Sequence, residues 1–194
     1  MKKHLFYLRY IIRHKWFVFI ECCKRGIIWR GLVHDWSKFL PSEWFAYCNH
    51  FYGKTPPKEK IDKTGYSKPA DTDDLAFDLS WLWHQHKNAH HWQHWISPQD
   101  DGGTKIFDIP IQYRKEMLSD WIGAGKALGF NKPDDCKNWY LKNKEKMILS
   151  PKTREWIENE LKIEEKYKII NHLEQLLNDV NKQIKHLGFQ YIKE

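Results

Sequence analysis

No two of the four cysteines, at positions 22, 23, 48 and 136, stand in the C-x-x-C spacing of a zinc knuckle or a redox pair. Reduced thiols in a cytoplasmic protein fit that usage. No long apolar run is free of charge either: the stretch from Leu5 to Ile20 is interrupted by Arg9, Arg13, His14 and Lys15, which excludes a membrane span or a secretory signal and leaves an amphipathic core helix. No segment alternates apolar and polar residues as a half-buried strand does, so the expected fold is nearly all α. Internal repeats and low-complexity tracts are also missing. Charge of one sign is not segregated: the net +7 and pI near 9.1 arise from interspersed acids and bases, an excess that suits phosphate-bearing substrates, nucleic acid or plain solubility without selecting among them, though the interspersion argues against a dedicated nucleic-acid groove.

What is present is a chain of 194 residues, 41% apolar and 15% aromatic, enough for one core and an appendage. Helical spacing predicts a first helix from Lys3 to Arg25 stopped by Gly26, a short second one over Ile27 to Val33, and a third beginning at Pro41 and running to Tyr52. Gly, Pro, Lys and Asp dominate residues 53–74, which read as a long loop of the kind that can act as a lid. A fourth helix runs from Thr72 to Asn88, Ser97 to Pro110 form a loop, and a fifth helix leads from Pro110 through Asp120 to Leu128. A short helix is expected near Trp139. Ser150 caps a helix with Pro151 at its first position, and everything beyond reads as helix. This gives a helical metal-binding domain over 1–150 and a C-terminal helical extension over 151–194. In the extension Leu173, Leu177, Val180, Ile184 and Leu187 form a heptad-like stripe, which either packs back on the domain or makes a homo-oligomer.

Chemistry concentrates at three places. His34 and Asp35 adjoin where an apolar helix ends; side chains one residue apart on a helix diverge by about 100°, but at a helix end both can turn toward one ion. Imidazole nitrogen and carboxylate oxygen together suit borderline or hard divalent metals. Second, five histidines fall within the eleven residues from His84 to His94. If that run stays helical, His84 and His91 lie two turns apart on one face; a break near Asn88 instead swings His90 or His91 inward, and His86 remains a further choice. Third, Glu116, Asp120, Ala124 and Ala127 share a helical face on which Asp120 can approach a site. The nearby Trp36, Trp81, Trp83, Trp92 and Trp121 read first as core and second as a wall on which a base stacks.

His14, then His34-Asp35, then later histidines, then Asp120 follow the H…HD…H…H…D order, and the chain thereby resembles the HD-domain metal-dependent phosphohydrolase superfamily. The segment from Val33 to Lys38 is similar to that superfamily's H-D-x-x-K motif. Over residues 12 to 160, His34-Asp35-x-Ser37-Lys38-Phe39, His90-His91-Trp92 and Asp120-Trp121 resemble an uncharacterised HD-like family of small bacterial and phage proteins. The resemblance implies an all-α, HD-like helical bundle holding one or two divalent ions (Mn, Mg, Co, Fe or Zn). Its ligands would be His14, His34, Asp35, His84, His91 and Asp120, and the substrate a nucleotide or other phosphoester. Lys38 would bind phosphate or stabilise the leaving group, and Glu43 would serve as an outer or general-acid group. Arg114 and Lys126 are candidate substrate cations. Di-iron oxygen chemistry and an inactive metal-binding interaction module are the alternatives.

Overall fold

A computed structural model describes residues 2–53, 73–163 and 165–186. Eight helices are found among them: α1 (Lys2–Lys24), α2 (Ile28–Val33), α3 (Pro41–Tyr52), α4 (Leu75–Lys87), α5 (Ile111–Leu128), α6 (Asp135–Asn143), α7 (Pro151–Glu160) and α8 (Glu165–His186). The all-α expectation therefore holds. No described helix is long and apolar enough to cross a membrane. Most of the loop expected over 53–74 lies outside the described residues.

Two elements depart from the sequence reading. Ile96–Pro98 (β1) and Thr104–Ile106 (β2) pair antiparallel around the Asp100–Gly103 turn, where only a loop was expected; strands of three residues are too short to declare a period. The helix expected to run unbroken from Pro151 is interrupted after Glu160. Lys162 takes a left-handed φ of 50° while Ile163 N–H donates to Glu158 O at 3.0 Å and Lys162 N–H to Asn159 O at 3.1 Å. That is a Schellman stop with lysine where glycine is the usual marker, so no sequence signal announced it.

The chain divides into two compact units, Met1–Ile157 and Glu158–Glu194, so the break falls inside α7 rather than at residue 150. The first turns of α7 stay with the first unit because Ile157 is fully buried and the buried Thr153 hydroxyl accepts from Ile109 N–H at 3.2 Å. In the second unit, Leu173, Leu177 and Val180 of the α8 stripe are exposed, and Leu187 lies outside the described residues.

The first unit is built on α1, whose buried stripe is Tyr7, Ile11, His14, Val18, Glu21 and Cys22, one face at the helical repeat. α5 and α2 pack along it, and α3 joins α4 beside it. Tyr7 and Ile11 meet Tyr47 and Cys48 of α3 and Phe77 of α4 in an aromatic cluster below the histidines. Asp74 caps α4, its Oδ1 accepting from Phe77 N–H at 3.1 Å.

The α1–α5 seam is closed by a glycine. A Cβ at Gly123 would lie 2.5 Å from Val18 Cγ2 and 2.8 Å from Val18 N, so the helices approach to backbone contact one turn beyond His14 on one side and Asp120 on the other. Gly123→Ala is expected to cost about 1–3 kcal/mol, the usual penalty of overpacking, because a backbone atom cannot swing aside as a side chain does. Denaturant unfolding measures it; a loss under about 0.5 kcal/mol would mean that the seam is looser than described.

Candidate metal centre

The local backbone explains how two adjacent residues serve one point. α2 ends at Val33, His34 is extended (φ −50°, ψ 130°), and Asp35 is left-handed (φ 49°, ψ 28°). A left-handed aspartate is among the less costly non-glycine choices, and strain of this sort gathers at functional sites. The turn folds both side chains to the same side, and both are buried.

Around Asp35 stand five imidazoles, two on helices (His14 and His84) and three in the turns that follow α2 and α4 (His34, His90 and His91). His14 comes from α1, His84 from the last turn of α4, and Asp120 from α5. α4 stops at Lys87, with Asn88 N–H donating to His84 O at 3.1 Å, and the chain then turns. This break brings both His90 and His91 to the centre, and the unbroken helical face through His84 and His91 does not form. His86 is exposed and stays outside, its carbonyl accepting from His94.

Three groups of donor atoms lie within 4.8 Å of one another: two four-residue ligand sets, His14, His34, Asp35 and Asp120, and Asp35, His84, His90 and His91, and a third group of His34, His90 and Glu116 in which the carboxylate meets the Nδ1 sides of the two histidines. Asp35 belongs to both four-residue sets. Its Oδ2 lies 3.5 Å from His34 Nε2 and 3.7 Å from His14 Nε2, while its Oδ1 lies 3.3 Å from both His84 Nε2 and His90 Nε2. Asp120 Oδ1 is 3.3 Å from His14 Nε2 and 3.4 Å from His34 Nε2. These separations are long for hydrogen bonds, yet two donors each about 2.1 Å from one tetrahedral ion would stand about 3.4 Å apart.

The tautomers agree. His34 Nδ1 donates to Glu116 Oε1 at 3.1 Å, His90 Nδ1 lies 3.3 Å from the same oxygen, and His84 Nδ1 donates to Glu43 Oε2 at 2.8 Å. Ionised carboxylates only accept, so each Nδ1 carries a proton and Nε2 is the ring nitrogen that faces the centre, where a bound ion would take the place of any second proton on His34 or His90. Burial pushes the Glu116 carboxyl up, but the hydrogen bonds from His34 and His90 more than reverse this and hold it at about 2. Glu43 is likewise lowered against its burial by His84. The outcome is six buried donor atoms without a hydrogen-bond partner, Nε2 of His14, His34, His84, His90 and His91 and Oδ1 of Asp35, while Oδ2 of Asp35 faces the Lys38 ammonium. Leaving such atoms unmet costs about 1–3 kcal/mol each, which an ion bound between them would recover.

Charge around the site is balanced by protons and one lysine. Burial would raise the Asp35 carboxyl, but His34, Lys38 and His84 pull it well below the ordinary range. Burial lowers His14 to about 4 and holds His91 well below its usual value; His90 rises against burial to about 10 through Asp35 and Glu116. Lys38, a buried ammonium 2.6 Å from Asp35 Oδ2, is the nearest fixed cation.

Arg114 and Lys126 are turned elsewhere. Arg114 is buried with its Nε on the carbonyl of Ile109, and Lys126 pairs with Glu21 at 2.7 Å in the α1–α5 seam. Glu43 stands behind His84, in an outer place. Glu116 was visible as a turn-neighbour of Asp120 but had no sequence signal for its role, and Arg30, 2.7 Å from Glu116 and 3.8 Å over the Tyr113 ring, had none either. Of the tryptophans, Trp81 stacks on His84 at 5.6 Å, Trp36 and Trp83 are exposed, and Trp121 packs on Trp139 and Tyr140.

Compared with known proteins, residues 3–163 match the profile of a family of unknown function, DUF5662. The chain belongs to this family. The DUF5662 segment takes in both ligand sets and both outer glutamates, and ends just before α8. No curated protein and no solved structure matches the chain.

Glu116→Gln tests whether the outer carboxylate acts on the centre. The amide keeps the volume and an oxygen for both imidazoles but carries no charge and sets an N–H₂ group against the Arg30 guanidinium, so metal affinity is expected to fall about 10–100-fold. Competition with a chromophoric chelator measures it, and an unchanged affinity would remove Glu116 from the centre.

Proposed function

We propose that this chain is a cytoplasmic, HD-type metal-dependent phosphohydrolase acting on a nucleotide or other small phosphoester. Two divalent ions would be held, one by His14, His34, Asp35 and Asp120 and the other by Asp35, His84, His90 and His91. The observation that carries the reading is the convergence of five unpartnered buried imidazole Nε2 atoms on the Asp35 carboxylate, with the Nδ1 faces of three of those histidines already engaged. Bound there, divalent ions would lower the pKa of a water and polarise a phosphoryl oxygen.

The chain's own groups have definable tasks. Glu116 and Glu43 orient His34, His90 and His84 and hold their Nδ1 protons. Arg30 fixes Glu116 in turn. Lys38 contributes a permanent positive charge beside Asp35, where it offsets charge on a phosphoryl group. Asp120 and His91 are the two ligands that are only partly buried, the Asp120 side chain at 14%, which marks the edge from which a substrate arrives.

The histidine-rich second set favours one competing chemistry, a di-iron oxygenase, since imidazole suits iron. Elemental analysis of the purified protein, with a phosphatase and nucleotidase screen across Mg²⁺, Mn²⁺, Co²⁺ and Fe²⁺, tests the proposal. Phosphate release supports it, oxygen consumption with bound iron replaces it, and a metal-free protein inactive with every ion refutes it.

A further inference from the structure

Two phenol groups below the centre have no assigned task. Tyr7 of α1 and Tyr47 of α3 are 1% and 3% exposed, their rings lie 6.4 Å apart, and neither hydroxyl has a hydrogen-bond partner. Buried hydroxyls nearly always find a partner, because an unmet one costs about 1–3 kcal/mol. Core packing needs only the rings; phenylalanine would fill this aromatic cluster without the penalty.

Tyr47 adjoins the metal centre through Lys38 and His84, and Tyr7 adjoins Tyr47. Both feel the charges of Lys38, Asp35 and Glu43, and the Lys38 ammonium sits 5.9 Å from the Tyr47 ring centroid. The Tyr47 ring also meets His84 edge-on at 6.0 Å. Lys38 uses one of its N–H donors on Asp35 and has two more. Two phenols and an ammonium thus supply a donor-rich patch beside Asp35, drawn from α1, α3 and the turn after α2.

We infer that Lys38, Tyr7 and Tyr47 form an oxyanion subsite that takes the non-bridging oxygens of a tetrahedral phosphoryl group, whether as substrate or as free phosphate. The inference rests on the metal-centre reading above and adds to it the two tyrosines. Each phenol donates to one oxygen while Lys38 neutralises the charge, and the aromatic walls keep competing water away. The rival arrangement is a water shared between these hydroxyls and the unpartnered Glu43 Oε1.

The test uses the full chain loaded with Mn²⁺, inorganic phosphate as probe, and the near-isosteric substitutions Tyr7→Phe and Tyr47→Phe. Calorimetric titration is expected to give phosphate binding that weakens about tenfold in each variant, with bound manganese and helical circular dichroism unchanged. The wild-type protein should also give a tyrosine absorbance difference on adding phosphate but not chloride, a readout that needs no variant. Phosphate affinity within about twofold of wild type in both variants, or no tyrosine signal, overturns the subsite and leaves the water arrangement. Failure of the wild-type protein to retain manganese is read separately, from elemental analysis, and counts against the metal centre itself.

Discussion

Asp35→Asn is expected to strip the chain of bound metal at both ligand sets at once. Asp35 is the one residue the two sets share, with Oδ2 toward His14 and His34 and Oδ1 toward His84 and His90. An amide offers one weakly coordinating oxygen in place of two charged ones, while asparagine tolerates the left-handed backbone at this position, so the change tests charge rather than conformation. Elemental analysis should fall from about two ions per chain to well under one. Any phosphoesterase turnover should drop at least about a thousandfold, equivalent to the several kcal/mol of charge stabilisation that bound metal supplies. The substitution also leaves the buried Lys38 ammonium without its anion, a loss of about 3–5 kcal/mol in a typical buried pair. The double variant Asp35→Asn with Lys38→Met removes both charges and should regain most of that stability but none of the metal. Retention of two ions by a folded Asp35→Asn protein would refute the bridging role.

Removing metal from the wild-type protein should lower its melting temperature by about 8–16 °C. The figure follows from linkage: an ion present at about a thousand times its dissociation constant contributes about 4 kcal/mol, and each kcal/mol moves the midpoint of a domain of this size by about 2–4 °C. The direction follows from the site, because chelation returns six buried donors, five imidazole Nε2 atoms and Asp35 Oδ1, to a state without a hydrogen-bond partner. Differential scanning calorimetry with and without a chelator, followed by re-addition of each ion, makes the measurement. The ion that restores the midpoint at the lowest concentration identifies the preferred metal. A midpoint that does not respond to chelation in protein shown to carry metal would place the ions somewhere other than this core.

Much of this centre was legible in the chain. His14, His34, Asp35 and Asp120 were readable because each lies on or beside a strongly periodic helix, and their order resembles a known pattern. His84 and His91 were readable for a partly mistaken reason: an unbroken helical face was one way to unite them, and the chain instead leaves the helix at Asn88 and brings His90 with them. Arg114 and Lys126 drew attention only as cations, and their partners Ile109 and Glu21 could not be inferred from types and spacing. Tyr7 and Tyr47 looked like any aromatic core positions.

The sequence by itself determined the helical class, the turn at His34-Asp35 and the kinds of atom available, since these depend on interactions within a few residues along the chain. Only the tertiary structure decided that Asp35 joins two ligand sets, that Glu116 holds His34 across 82 residues, and that Glu43 stands behind His84 across 41. Such partnerships arise where helices cross, and the crossing is set by packing such as the backbone contact of Gly123 with Val18, which no local pattern encodes.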